Sequence, residues 1–384
     1  MHFKRSSRVF ILVVASALMA VALPSVASAQ TYVCVAKGGQ MRYLGTAPGT
    51  CLKGETLVVL AAQGPVGPAG PPADPSFGPR LTSLESNNRW QIVSIDVNCS
   101  NGGSITAALA QAAAYASANI YVTGMCSQTD GVLIRNNNTH IYGNGSGAGF
   151  SRPTDAPGPV VEVAATGVRL DNLTLTGGNF GLVVNAGASV QVSNTTVTAS
   201  TNHGIIVSGQ LTLNDSTVTG AGGTGVIAQA GGTVFMNHSS ILNGATDGLL
   251  LQASRGFVNG STILRNRGGI QLYNGASLDL GGGTTISESF GGDGVSVMGG
   301  SSVHINGGTE VTRNSGHGIF LLDTSVITVW GGEETKIINN GQWGIFCTPT
   351  PSVAQISGTI APDVVISGNQ GDGQGQVSCP GVAR

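Results

Sequence analysis

Asp293 and His317 are the residues of this 384-residue sequence best suited by type and spacing to proton transfer. A carboxylate beside an imidazole can serve general acid–base chemistry once the two come within hydrogen-bond reach. Asp247 is a third candidate of the same kind, and each of the three precedes a glycine: Asp247-Gly248, Asp293-Gly294 and His317-Gly318. A second group is suited to contact rather than chemistry. Tyr273, Phe320, Trp343 and Phe346, with His304 in the next strand after an anchor, carry flat rings that stack on flat partners when left on a surface. These residues are too far apart in sequence for one helix or hairpin, so a larger regularity must bring them together.

That regularity is a repeat. The motif x-Gly-apolar-x-apolar recurs as NFGLVV, NHGIIV, GTGVIA, TDGLLL, RGGIQL, GDGVSV, GHGIFL and QWGIFC. Its glycines, from Gly181 to Gly344, follow one another at intervals of 23, 21, 23, 21, 25, 24 and 26 residues. After each comes a short strand, a second strand such as Val190-Gln191-Val192, and a third apolar position: Val197, Val218, Ile241, Ile263, Ile286, Val311 and Ile337. Period-two alternation broken by Gly, Asn and Ser corners argues for strands and against a helix. The sequence therefore predicts an all-β parallel solenoid of about ten coils, each roughly 22 residues long. Stacked in register, equivalent residues lie about 4.8 Å apart.

In such a stack the chemical candidates form columns. Asp293 and His317 fall on neighbouring coils, where they can meet either as a catalytic pair or as a contact within the corner. Asp247 falls two coils from Asp293 with Gly268 between, roughly twice 4.8 Å away. That is too far to share one calcium ion without ligands from other columns. The middle positions of the strands after the anchors, Val183, Ile206, Ile227, Leu250, Gln271, Ser296, Phe320 and Phe346, point outward and become aromatic at the C-terminal end. Asn214, Asn237 and Asn259 predict an asparagine ladder. Arg265, Glu288 and Arg313 predict a surface ladder of alternating charge, which contributes little energy.

The ends and the N-terminus are different. Ser104 reads as an N-cap for an alanine-rich helix, Ile105 to Tyr115, expected to lie across the first coil as a lid. Residues 1–29 combine a basic start, an apolar run from Val9 to Leu23 and Ala27-Ser28-Ala29, the pattern of a cleaved export signal. No later stretch is long and apolar enough to span a membrane. Residues 30–62 read as a small module around Cys34 and Cys51. Residues 63–98 form a lead-in with three collagen-type triplets, Gly64-Pro65-Val66, Gly67-Pro68-Ala69 and Gly70-Pro71-Pro72, either a stiff spacer or a trimerising stub. The solenoid is placed at 99–384. The six cysteines fall into local pairs, Cys34 with Cys51, Cys99 with Cys126 and Cys347 with Cys379. This pairing rests on proximity and leaves the other connectivities open.

Only 9% of residues are charged and the formal net charge is −2, so the basic surface that nucleic acid requires is missing. With 60 glycines but 41% hydrophobic residues the chain is neither disordered nor collagen-like as a whole.

The helix lid, cysteine pair and Gly-apolar coils together resemble right-handed parallel β-helix proteins of the pectin-lyase-like superfamily, over about Cys99 to Arg384. The resemblance implies that fold, with its N-terminal capping helix, and a choice among polysaccharide lyases, glycoside hydrolases, tailspikes and non-catalytic surface proteins. Polygalacturonase-like members use several aspartates, a Gly-His-Gly and an Arg-x-Lys. Gly316-His317-Gly318 matches the tripeptide, but Asn202-His203-Gly204 and Thr246-Asp247-Gly248 fill the same slot, and neither an adjacent aspartate pair nor an Arg-x-Lys is present. Gly318 is expected to supply a backbone conformation that other residues resist. The expected function is binding of a polysaccharide or cell-surface glycan at Asp247, Tyr273, Phe320, Trp343 and Phe346, with Asp293 and His317 the acid–base pair of any depolymerase. The competing reading is a structural or adhesive rod, or a tailspike-like trimer. No cofactor or metal is expected, calcium entering only for a lyase. The protein is expected to be secreted, at the cell surface or in the periplasm, as a monomer or homotrimer.

Overall fold

The computed structural model describes residues 31–36, 41–45, 50–60, 91–330, 335–348, 357–370, 376–379 and 382–383. They fall into two units divided between Thr82 and Ser83. The export signal and the Gly-Pro triplets lie outside the described residues. In the first unit, strands Thr31–Ala36, Met41–Gly45 and Glu55–Leu60 form an antiparallel sheet with the first strand in the middle. Cys34 and Cys51 are bonded within it.

The second unit is a solenoid. Three parallel sheets of 11, 13 and 11 strands run its length, and successive members of a sheet are three strands apart along the repeats. The sheet carrying the anchor glycines is called the first sheet, the 13-stranded one the second, and the remaining one the third. In-register pairing turns the alternation of the sequence into columns. In the first sheet Leu182, Ile205, Val226, Leu249, Ile270, Val295, Ile319 and Ile345 stack on successive coils. In the third, Val197, Val218, Ile241, Ile263, Ile286, Val311 and Ile337 do the same. All of these side chains are buried and belong to one continuous core.

The anchor glycines owe their place to this core. Gly318 does not have a positive φ, nor do the other anchors; the expected conformational reason is therefore replaced by a steric one. A Cβ on Gly318 would lie 2.5 Å from Ile337 Cγ2, and one on Gly248 would lie 2.5 Å from Ile263 Cγ2. In each coil the β-branched side chain of the following third-sheet strand occupies the space a methyl group would need. The left-handed backbone sits instead at the corner leaving the third sheet, on Arg265, Glu288 and Arg313 at φ 54, 56 and 54°.

Corners are held by polar stacks. Asn237 Nδ2 donates to Asn214 Oδ1 at 2.9 Å, so the expected asparagine ladder is present as this one rung. A longer, buried ladder lies two residues beyond the third-sheet strands. Asn314 Nδ2 donates to Asn340 Oδ1 at 3.0 Å, and Asn340 Nδ2 donates to Asn369 Oδ1 at 2.9 Å. At another corner the backbone N–H groups of Thr195, Ser216 and Ser239 donate to the hydroxyls of Ser216, Ser239 and Ser261 on the next coil. Each rung satisfies a buried donor that would otherwise cost about 1–3 kcal/mol. Glu288 lies 2.9 Å from Arg265 and 3.6 Å from Arg313, the alternating surface ladder.

At the N-terminal end, Ser104 Oγ accepts from Ala107 N–H and starts a helix, α1 (Ile105–Ala112), shorter than the expected run to Tyr115. Its buried residues Ile105, Ala108, Leu109 and Ala112 join the core. The second sheet begins before it, with strand Ile92–Asn98 paired to Ser117–Thr123. Residues 92–98, placed in the lead-in by sequence, thus open the solenoid, and α1 follows that strand in the chain and packs against the first strands of the first and second sheets. Cys99 is bonded to Cys126, and Cys347 in the first sheet is bonded to Cys379, just past strand Val377–Ser378 beside it. Among the described residues no helix is long and apolar enough to cross a membrane.

Two stability measurements follow. Val226→Asp places an unpaired charge at a fully buried column position and should cost at least about 4 kcal/mol, appearing as loss of the cooperative melt or aggregation. Retention of wild-type thermal stability would mean the column is misplaced. Asn340→Ala should cost about 3 kcal/mol by denaturant titration, against less than about 1 kcal/mol for Glu288→Ala in the exposed charge ladder. Equal losses would contradict the ranking.

Candidate functional site

The outer face of the first sheet carries two adjacent columns. One is the residue before each anchor, and the other is the middle of the strand after it. The register places Asp247 beside Gly268, Asp293 beside His317 and His317 beside Trp343. In the second column Gln271, Ser296, Phe320 and Phe346 follow one another.

The C-terminal part of this face is aromatic. The His317 ring stacks on Phe346 with centroids 4.6 Å apart and on Phe320 at 5.7 Å, within 8° and 14° of parallel. Trp343 leans on Phe346 at 6.2 Å. All four side chains are half-buried, so what each ring leaves exposed forms part of one ribbed aromatic platform. Three of the five expected contact residues, Phe320, Trp343 and Phe346, are therefore together, with His317 as an unexpected fourth ring. Tyr273 stands apart at the end of its strand beside Gln252 and stacks on no other ring among the described residues. His304 lies on the second sheet, its Nδ1 3.6 Å from Asp279.

Toward the N-terminus the face becomes an acidic cleft of about 360 Å³, lined by Asp247, Arg267, Gly268, Gln271, Asp293 and Ser296 among others. Gly268 opens it: a Cβ there would collide with Asp247 Oδ1, so the missing side chain leaves a gap in the column between the two carboxylates. Burial pushes the Asp247 carboxyl above the usual carboxylate range, against the opposing effects of its own backbone N–H and of Arg267. Arg267 and the 63%-exposed Phe290, which precedes the cleft residue Gly291, were not singled out by sequence. The one sequence signal is the longer corner that carries Phe290, between strands Thr285–Ser287 and Val295–Val297.

Asp293 and His317 are in contact, through the backbone. Asp293 Oδ1 accepts the His317 N–H at 2.7 Å, and Asp293 Oδ2 accepts the Ser296 hydroxyl at 2.9 Å. His317 Nδ1 in turn accepts the Trp343 N–H at 3.1 Å, as His203 Nδ1 accepts that of Thr224. The column is thus a relay in which a side-chain acceptor on one coil holds the backbone of the next. It leaves Nε2 as the imidazole nitrogen facing outward chemistry. Among the described residues no third ligating side chain joins Asp247 and Asp293; the only cluster of three ligating types is Cys34, Cys51 and Glu55, where both sulfurs are in the disulfide.

Residues 160–309 match the family model of the right-handed β-helix region. The solenoid is a right-handed parallel β-helix. Among solved structures, full-length tailspike protein 2 of Escherichia coli O157:H7 bacteriophage CAB120 is similar, at 15% identity and a TM-score of 0.54 over 69% of this chain and 42% of that one. The enzymatically active domain of bacteriophage CBA120 tailspike protein 2 is similar at 14% identity and a TM-score of 0.52, over 69% of this chain and 47% of that one. A pectate lyase aligns over 74% of this chain and 78% of its own, at 12% identity and a TM-score of 0.41. The chain spans less than half the length of the two tailspike chains. No curated protein sequence matches it.

The relay makes a prediction about protonation. An Nδ1 that accepts a hydrogen bond requires the neutral imidazole with its proton on Nε2. Burial lowers the pKa of both His203 and His317 from the ordinary value, partly offset at His317 by Asp293. With folded values depressed below unfolded ones, the β-helix should lose stability as pH falls through about 6.5. Long-range proton–nitrogen spectra at neutral pH should show both rings as the Nε2–H tautomer. An Nδ1–H signal from either would break the relay.

Proposed function

We propose that this β-helix works outside the cell, binding a polysaccharide or cell-surface glycan along the outer face of its first sheet. The observation that carries this reading is the platform of His317, Phe320, Trp343 and Phe346. A half-exposed cluster of stacked rings offers an apolar surface suited to the apolar faces of pyranose rings. The cleft at Asp247, Arg267 and Asp293 continues the same face with groups that can bind sugar hydroxyls. Three disulfides suit an oxidising, extracellular setting. Depolymerisation, as a hydrolase or a calcium-assisted lyase, would draw on Asp293 and on Nε2 of His317. Their present hydrogen bonds hold the corners together, to backbone N–H groups and the Ser296 hydroxyl, which favours binding as the primary role.

Replacing Phe320 and Phe346 together with alanine should weaken affinity for a bound polysaccharide roughly tenfold or more while leaving the melting temperature close to that of the parent. Unchanged affinity would contradict the platform. Incubation with acidic and neutral polysaccharides, with and without calcium, separates the chemistries. New reducing ends alone indicate a hydrolase, ultraviolet-absorbing unsaturated ends indicate a lyase, and intact polymer indicates binding without cleavage.

A further inference from the structure

A second outward face, on the second sheet, has a different chemistry and shares none of the residues of the first-sheet site. Its central column runs His140, Arg169, Gln191, Thr212, Phe235 and Phe257 on six successive coils. Aromatic pairs bracket it. Tyr121 and Tyr142 stack with centroids 5.4 Å apart at the N-terminal end, and Phe235 and Phe257 stack at 4.8 Å at the other. His140 Nδ1 lies 3.1 Å from the Tyr142 hydroxyl and ties the first pair to the column. On the side of this column away from the Tyr pair, over the coils of His140 to Thr212, the face is hollowed into a concavity of about 330 Å³, whose polar lining includes Asn138, His140, Arg169, Ser189, Gln191 and Gln210.

The charge pattern narrows the ligand. Arg169 is exposed in this concavity and takes part in none of the ion pairs among the described residues. No acidic side chain lines the hollow. Asp171, in the adjoining column, is the nearest acid along the strand and makes no ion pair with Arg169. An unpaired guanidinium presents a donor fork that fits a carboxylate. A single fixed cation is far too little for a nucleic-acid backbone. The repeated amides and hydroxyls on either side of it are donors and acceptors suited to sugar hydroxyls. From the His140 coil to the Phe235 coil is four rises, about 19 Å. That length accommodates a short oligosaccharide laid along the axis, with one end reaching Phe235 and Phe257 and the other flanked by Tyr142.

We infer that this second-sheet face, from Tyr121 to Phe257, is a separate binding strip for a carboxylate-bearing, uronate-type oligosaccharide, with Arg169 pairing to the carboxylate. The inference does not depend on the first-sheet reading, which rests on an acidic cleft and other rings. The two faces give the β-helix two sites of opposite charge preference. A polymer bearing both neutral and acidic segments could engage them at once, with a gain in overall avidity.

The test is calorimetric titration of the whole protein with tetragalacturonate, and with maltotetraose as the neutral comparison. Tetragalacturonate should bind, Arg169→Gln should weaken it tenfold or more, and Tyr121→Ala should weaken it several-fold. Any maltotetraose affinity should be unaffected by Arg169→Gln. Because Arg169 and Tyr121 point outward, their variants should melt with the parent. Three results overturn the strip. One is no tetragalacturonate binding, and another is affinity lost in the Phe320/Phe346 variant but kept in Arg169→Gln, which leaves the first-sheet site alone. The third is a change of mass by light scattering in Arg169→Gln, which makes the face a contact between copies of the chain.

Discussion

Parallel hydrogen bonding between successive coils is the constraint on which everything else in the solenoid depends. It fixes one rise of about 4.8 Å per coil and forbids slippage, because a one-residue shift would turn every buried valine and isoleucine outward. A residue is therefore judged by its column. Inside, that favours β-branched side chains stacked on β-branched side chains. At the corners it favours groups that can serve the coil above as well as their own. Asn340 does both, donating to Val311 O and Asn369 Oδ1 while accepting from Asn314. Such a buried amide is tolerable only because its neighbours repeat it.

The columns were legible in the sequence because they are one-dimensional: a spacing near 22 residues and a period of two suffice to align Leu182 with Ile205 and Val226. What depends on a second strand of the coil was not. The anchor glycines looked like residues chosen for unusual backbone angles, yet their φ values are ordinary and the crowding comes from Val197 or Ile337, many residues later. Even spacing points to an asparagine ladder at Asn214, Asn237 and Asn259. The deeper ladder at Asn314, Asn340 and Asn369 sits in corners of unequal length that obscure the period. At the N-terminus, Ile92–Asn98 lacks an anchor glycine and carried no sign of the repeat, so the solenoid was placed one strand short.

The candidate site shows the same division. That Asp293 and His317 are neighbours followed from counting. That the carboxylate holds a backbone N–H, and the imidazole another, depends on side-chain direction, which spacing does not reveal. The outer faces are where the chain is free to vary, since they have no core to fill. Gly268 uses that freedom to open a cleft, and His317, Phe320, Trp343 and Phe346 use it to build a platform.

The central claim is that this platform is where a sugar chain lies. A crystal structure of the protein grown with an oligosaccharide from a polymer it retains would test it directly. Pyranose rings should pack against the exposed surface of Phe320 and Phe346, with hydroxyls reaching toward the Asp247–Asp293 cleft. Sugar bound elsewhere on the solenoid, with the first-sheet face bare, would contradict it.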